Sequence, residues 1–150
     1  MDKIKKQLYE YCLAYVEQRI QTARNAIDAS RESANDDTKS SAGDKYETGR
    51  EMMQQEINRN QVQLNEAQKL KEILNRLSVE KSESIIRNGS LVVTNQGAFY
   101  IAVSCGQIVI DGKSYFAISS QSPIGIKFMG QKSGAAFHFN EKKFKILDVQ

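Results

Sequence analysis

Two apolar stripes at helical spacing, separated by a segment without a large aliphatic side chain, decide most of what this 150-residue chain can become. The first runs from Ile4 through Leu8, Cys12, Val16, Ile20, Ala23 and Ile27 at steps of four and three, with Tyr11 and Tyr15 beside it. That spacing gathers the apolar side chains on one face of a helix and leaves Lys, Gln, Glu and Arg on the other. The second stripe, Tyr46, Met53, Ile57, Leu64, Ala67, Leu74 and Leu77, follows a near-heptad seam, with Asn60 at its centre and Leu70 and Ile73 alongside. Between the two, Asn35 to Gly49 is crowded with turn-forming residues, above all Ser40, Ser41, Ala42 and Gly43. Matched stripes around such a turn predict an antiparallel coiled-coil hairpin over residues 1–80, with its tip at about 35–49. Asn60 in the seam would fix register at some cost in stability. Arms of about 33 residues reach roughly 50 Å at an α-helical rise, farther than a small domain needs for its own packing.

Residues 81–89 are polar and poorly periodic, and read as a linker. After them the period changes from 3.6 to 2. Ser90–Thr94, Ala98–Val103, Gln107–Ile110 and Ser114–Ile118 are β-branched and aromatic runs separated by Asn-Gln-Gly, Cys-Gly and Asp111-Gly112 turns. Asp-Gly between two such runs is a strong hairpin signal. Ser122-Pro123 then opens a short helix, serine as N-cap and proline in the first turn, with Gly130 placed to close it. Ala135 to Phe139 and Lys143 to Val149 form a last hairpin around Asn140-Glu141. The prediction for residues 90–150 is one antiparallel sheet carrying one short helix, and for the whole chain an α+β protein.

Composition narrows the function classes. The chain is 40% hydrophobic and 26% charged, which suits globular units. No apolar run approaches a membrane span and the start lacks a secretory signal, so the expected setting is cytoplasmic, with no membrane partner. Cys12 and Cys105 have none of the close spacing of a metal site or a redox CxxC, and read as buried thiols. His138, the only histidine, alternates away from Phe137 and Phe139 and reads as structural. Residues 1–80 carry 13 Lys and Arg against 14 Asp and Glu, whereas 81–150 carry 8 against 4. The tip is acidic and the rest basic, a polarity that would orient the molecule beside a large charged partner.

The order of parts, and in particular Ser122-Pro-Ile-Gly-Ile-Lys-Phe-Met-Gly-Gln-Lys-Ser-Gly134 followed by strands ending Phe144-Lys-Ile-Leu-Asp-Val149, resembles the bacterial transcript-cleavage factors GreA and GreB. The likeness is strong over about 115–149 and architectural over 1–80. It implies an FKBP-like C-terminal domain without isomerase activity, docked on RNA polymerase beside the secondary channel. Ser122, Pro123, Ile124, Gly125 and Lys132 are then the partner-binding candidates. It also implies a coiled coil that enters the channel, where an acidic tip helps the polymerase hold Mg²⁺ against backtracked RNA. The protein would have no cofactor of its own and would act as a monomer.

At the tip the sequence departs from the family. The family's acids resemble an Asp and a Glu three residues apart, and laid on Asp37-Thr-Lys-Ser-Ser-Ala the Asp falls on Asp37 but the Glu on Ser40. A hydroxyl cannot replace an anionic Mg²⁺ ligand. A second pair, Asp44 and Glu47, has the right i, i+3 spacing, and the same spacing also serves as a capping box at a helix start. Asp36 and Asp37 have the alternative of being solvated loop acids. Asp36, Asp37, Asp44 and Glu47 are the tip candidates, with Asp37, Asp44 and Glu47 as ligands of a shared metal.

Two function classes follow. One is a Gre-like regulator of transcription elongation, either stimulating cleavage or occupying the channel without it, and the Ser40 departure leans to the second. The other is a coiled-coil interaction module whose FKBP-like domain binds another protein. A stand-alone enzyme has no support, because neither a nucleophile–base pair nor a dinucleotide loop is present.

Overall fold

The computed structural model describes the backbone of residues 2–40, 44–77 and 84–150, and the side chains of 3–33, 48–77 and 84–150. In order, the elements are α1 (Asp2–Ser40), α2 (Asp44–Asn75), β1 (Leu91–Thr94), β2 (Gly97–Ala102), β3 (Gly106–Ile110), β4 (Lys113–Ser119), α3 (Pro123–Phe128), β5 (Ala136–Phe139) and β6 (Lys142–Val149). The α+β class is therefore present, two long helices preceding six strands and one short helix. Helical backbone enters the Asn35–Gly49 segment from both sides, since Asp, Asn, Thr, Lys and Ser each cost a helix no more than about 0.7 kcal/mol. No described helix is long and apolar enough to cross a membrane.

The chain divides into two compact units, Val16–Lys71 and a second made of Met1–Tyr15 with Glu72–Gln150. In the first unit the stripe is buried as the spacing requires: Val16, Ile20, Ala23 and Ile27 on α1, Leu64 and Ala67 on α2. The helices run antiparallel, because Arg19 Nη2 donates to Gln63 Oε1 at 3.4 Å while Glu17 meets Lys71 at 3.7 Å. Asn60 is half-buried at the seam, opposite the small Ala23, and the two leave a groove of about 220 Å³ that is lined also by Gln18, Arg19, Thr22 and Gln63. Gln18–Thr22, Gln21–Asn25, Gln54–Asn58 and Gln61–Asn65 hydrogen bonds stitch the exposed faces at i, i+4.

In the other unit the six strands form one sheet in the order β3-β4-β2-β1-β6-β5. The wholly antiparallel sheet expected from the sequence is corrected at one pair: β2 and β4 are parallel, from Ala98↔Tyr115 to Ala102↔Ser119. The reason is topological. The β3–β4 hairpin closes locally, but β4 takes the inner place beside β2, and strands two apart in an up-down succession point the same way. Side-chain character suits that choice, since Tyr115 and Ala117 are buried on β4 whereas Gln107 and Val109 are exposed on the edge strand β3. The Asp111-Gly112 turn has both residues at positive φ, 51° and 77°, as a two-residue hairpin wants.

Each face of the sheet buries its own set. Val92, Phe99, Ile101, Phe144 and Ile146 meet Phe128 of α3 and Ile86, with Phe128 edge-on to Phe137. Leu91, Tyr100, Ile108, Tyr115 and Ala117 lie on the alternate positions and are buried too. Leu8, Cys12 and Leu74, from the helical segments of this unit, are fully buried, and Lys5 Nζ donates to the Gln150 carbonyl at 3.3 Å. Ile85 and Ile86 fall inside the linker expected at 81–89, yet belong to the fold: Ile86 is 1% exposed, donates to Gln131 O and accepts from Gly130 N.

Candidate functional site

The segment from Ser119 to Gly134 gathers the sequence-predicted partner residues, and its backbone explains why each residue type stands where it does. Ser122 sits at φ −68° and ψ 158°, the extended geometry of an N-cap, and its Oγ accepts from the Gly125 amide at 3.1 Å. The same hydroxyl donates to Ser119 O at 2.7 Å, so one side chain ties the new helix to the last residue of β4. Pro123 occupies the first turn, where its missing N–H costs nothing. Gly125 is buried against that strand end: a Cβ there would stand 2.0 Å from Ser119 O and 2.8 Å from Ser122 Oγ. Only hydrogen fits.

Beyond α3 the chain reverses at Gly130, φ 80°, and pairs back through the Ile85↔Lys132 bridge. Gly134 N then donates to Ile146 O, fixing the start of the final hairpin. Ser122, Ile124 and Gly125 thus point inward or cap, with Ile124 packed on the aromatic core. Among the side chains left to solvent are Pro123, Ile126, Lys127 and Lys132, and Ile126 is 63% exposed. An exposed apolar residue followed by Lys127, with Lys132 exposed further along, is the chemistry this segment offers a partner. His138, exposed on β5 opposite Lys143, lies outside it.

Asp36 and Asp37 fall on the α1 backbone, and Asp44 and Glu47 on that of α2, but their side chains lie outside the described residues. Ser40 ends the α1 backbone, and its side chain is likewise outside them. Among the described residues no cluster of three or more His, Cys, Asp or Glu could hold a metal ion.

A pair of groups that sequence spacing did not connect is brought together elsewhere in the sheet unit. Cys12 Sγ and Cys105 Sγ are 3.3 Å apart, Cys12 buried on α1 and Cys105 half-buried in the turn after β2. Their hydrogen bond, reinforced by burial, pushes the Cys12 thiol well above its ordinary value, and the same bond lowers Cys105 against the opposing effect of its own burial. Burial, and then the neighbouring Cys12, Tyr9 and Cys105, raise the Tyr100 phenol. No local motif announces this pair, because its members are 93 positions apart.

Neither a protein-family model nor a curated protein matches the chain.

Proposed function

We propose that this chain is a Gre-like regulator of bacterial RNA polymerase, docking beside the secondary channel through its sheet unit and offering the acid-rich connection of α1 and α2 to the channel. The observation that carries the reading is the Ser119–Gly134 segment: the residues of the Gre-like motif cap α3, seat it against β4 and leave Pro123, Ile126, Lys127 and Lys132 outward. A helical hairpin with a buried seam is the second support, since α2 alone has 32 residues, about 48 Å at an α-helical rise. Polymerase is the partner, backtracked RNA is met only indirectly, and Mg²⁺ would be shared with the polymerase and not held by this chain alone.

With Ser40 where the family places a second carboxylate, the tip brings one anionic ligand in that register, and occupancy of the channel without cleavage is the version put forward. The test has two stages. Immobilised chain should retain polymerase, less so as salt is added, and failure to retain it at low salt overturns the docking. Stalled, backtracked complexes with Mg²⁺ should then show no added cleavage with the natural chain and cleavage with Ser40→Glu. Cleavage by the natural chain would overturn the occupancy version. Its loss on Asp37→Asn would then assign the metal to the family register, and its loss on Asp44→Asn to the Asp44–Glu47 pair.

A further inference from the structure

Cys12 and Cys105 are the only cysteines of the chain, and the fold sets their sulfurs 3.3 Å apart. A disulfide needs about 2.05 Å between sulfurs, so the two must approach by roughly 1.3 Å to bond. The two positions differ in the way a reactive pair requires. Cys12 has 0% exposure on the first turns of α1, whereas Cys105 is partly open to solvent. Its intermediate exposure, just before Gly106 at the start of β3, is what lets a small oxidant reach the Cys105 sulfur.

We propose that Cys12 and Cys105 form a peroxide-responsive thiol pair that closes into an intramolecular disulfide, cross-linking the first turns of α1 to the β2–β3 turn. Cys105 reacts first. Its thiolate, favoured by the hydrogen bond from Cys12, attacks one oxygen of hydrogen peroxide; the O–O bond breaks, a sulfenic acid forms, and the departing hydroxide takes up a proton as water. Cys12 then attacks the Cys105 sulfur, the S–O bond breaks, and hydroxide leaves with the Cys12 proton as a second water. Two thiols have been oxidised and one peroxide reduced to two waters. A small dithiol reverses the step by attack on the accessible Cys105 sulfur.

The site is separate from the polymerase reading and is tested without polymerase. The reduced full chain is treated with hydrogen peroxide, excess oxidant is removed, and the product is alkylated with iodoacetamide and weighed. The expected product is monomeric, lighter by two hydrogens, closed to alkylation at both cysteines and restored by dithiothreitol. Its melting temperature should rise by roughly 5 °C or more, because the bond closes a long loop. Cys12→Ser should stop at a Cys105 sulfenic acid that dimedone traps, and Cys105→Ser should leave Cys12 unmodified. Sulfinic acid on Cys105 beside a free Cys12, disulfide-linked dimers, or equal oxidation of the chain folded and in denaturant would each overturn the proposal. The alkylation of the natural chain decides the matter even if a variant does not fold.

Discussion

Gly125→Ala is the substitution that most directly tests how the candidate docking segment is built. The new methyl would stand 2.0 Å from the Ser119 carbonyl oxygen, and ordinary contact begins near 3.4 Å, so the α3 N-terminus and the end of β4 must part by about 1.4 Å. The obstacle is backbone and has no rotamer to yield. Overpacking of this kind costs about 1–3 kcal/mol. Parting the elements also breaks the Ser122 cap, which bridges Gly125 N and Ser119 O and is worth about 1 kcal/mol. The sum is a loss of about 2–4 kcal/mol, or a melting temperature lower by roughly 5–15 °C for a chain of this size. Ser122→Ala alone should cost about 1 kcal/mol. In the double variant the cap is lost once, not twice, so the combined loss should fall short of the sum by about 1 kcal/mol. Urea unfolding of the four proteins reads both quantities. A Gly125→Ala chain within about 0.5 kcal/mol of the natural one, or strict additivity with Ser122→Ala, refutes the shared-contact argument.

Four further outcomes are expected. Asn140 and Glu141 turn the last hairpin with φ of 50° and 66°, a conformation that suits Gly better than Glu, so Glu141→Gly should raise stability by about 0.5–1 kcal/mol in urea titration. Tyr100 is held protonated by burial above its ordinary value of about 10; folding therefore binds its proton more tightly than the unfolded chain does, and its contribution, whole below about pH 10, is lost as pH rises further. Tyr100→Phe should flatten that alkaline decline, and an unchanged slope would remove Tyr100 as its cause. Leu64→Asp places a charge in the buried seam and should cost several kcal/mol, whereas Glu17→Gln, which breaks an exposed pair with Lys71, should change stability by less than about 0.5 kcal/mol.

What was legible in the sequence followed from local rules. Period two marked all six strands, Asp111-Gly112 marked the β3–β4 hairpin, and Ser122-Pro123 marked the start of α3. The buried stripe from Leu8 to Ile27 was read position by position. What was not legible depended on which elements become neighbours. Nothing in Gln107–Ile110 or Ser114–Ile118 says which strand lies beside β2, so the parallel pair was missed. Ile85 and Ile86 are two adjacent apolar residues without a period, and only Gly130 and Gln131, more than forty positions on, reveal their place in the sheet unit. The Cys12–Cys105 approach is of the same kind.

The residues that carry the likeness to the Gre factors are for the most part consumed by folding. The Ser122 hydroxyl donates to Ser119 O and accepts from Gly125 N, Gly125 is required by a backbone contact, Ile124 lies on the aromatic core, and Gly130 and Gly134 make the reversals that admit Ile86 and Ile146. A motif so used predicts a fold more strongly than an activity, because any sheet of this topology with a short helix seated on its strand end would need the same residue types. Replacing Ser122 or Gly125 therefore confounds binding with unfolding, and a loss of polymerase retention in those variants would not locate an interface. Pro123, Ile126, Lys127 and Lys132 make no such inward contribution through their side chains. Ile126→Ser with Lys127→Gln should leave the melting temperature within a few degrees, as exposed substitutions do, while weakening polymerase retention and reducing its salt dependence. Unchanged retention by that stable variant would move the docking surface away from α3.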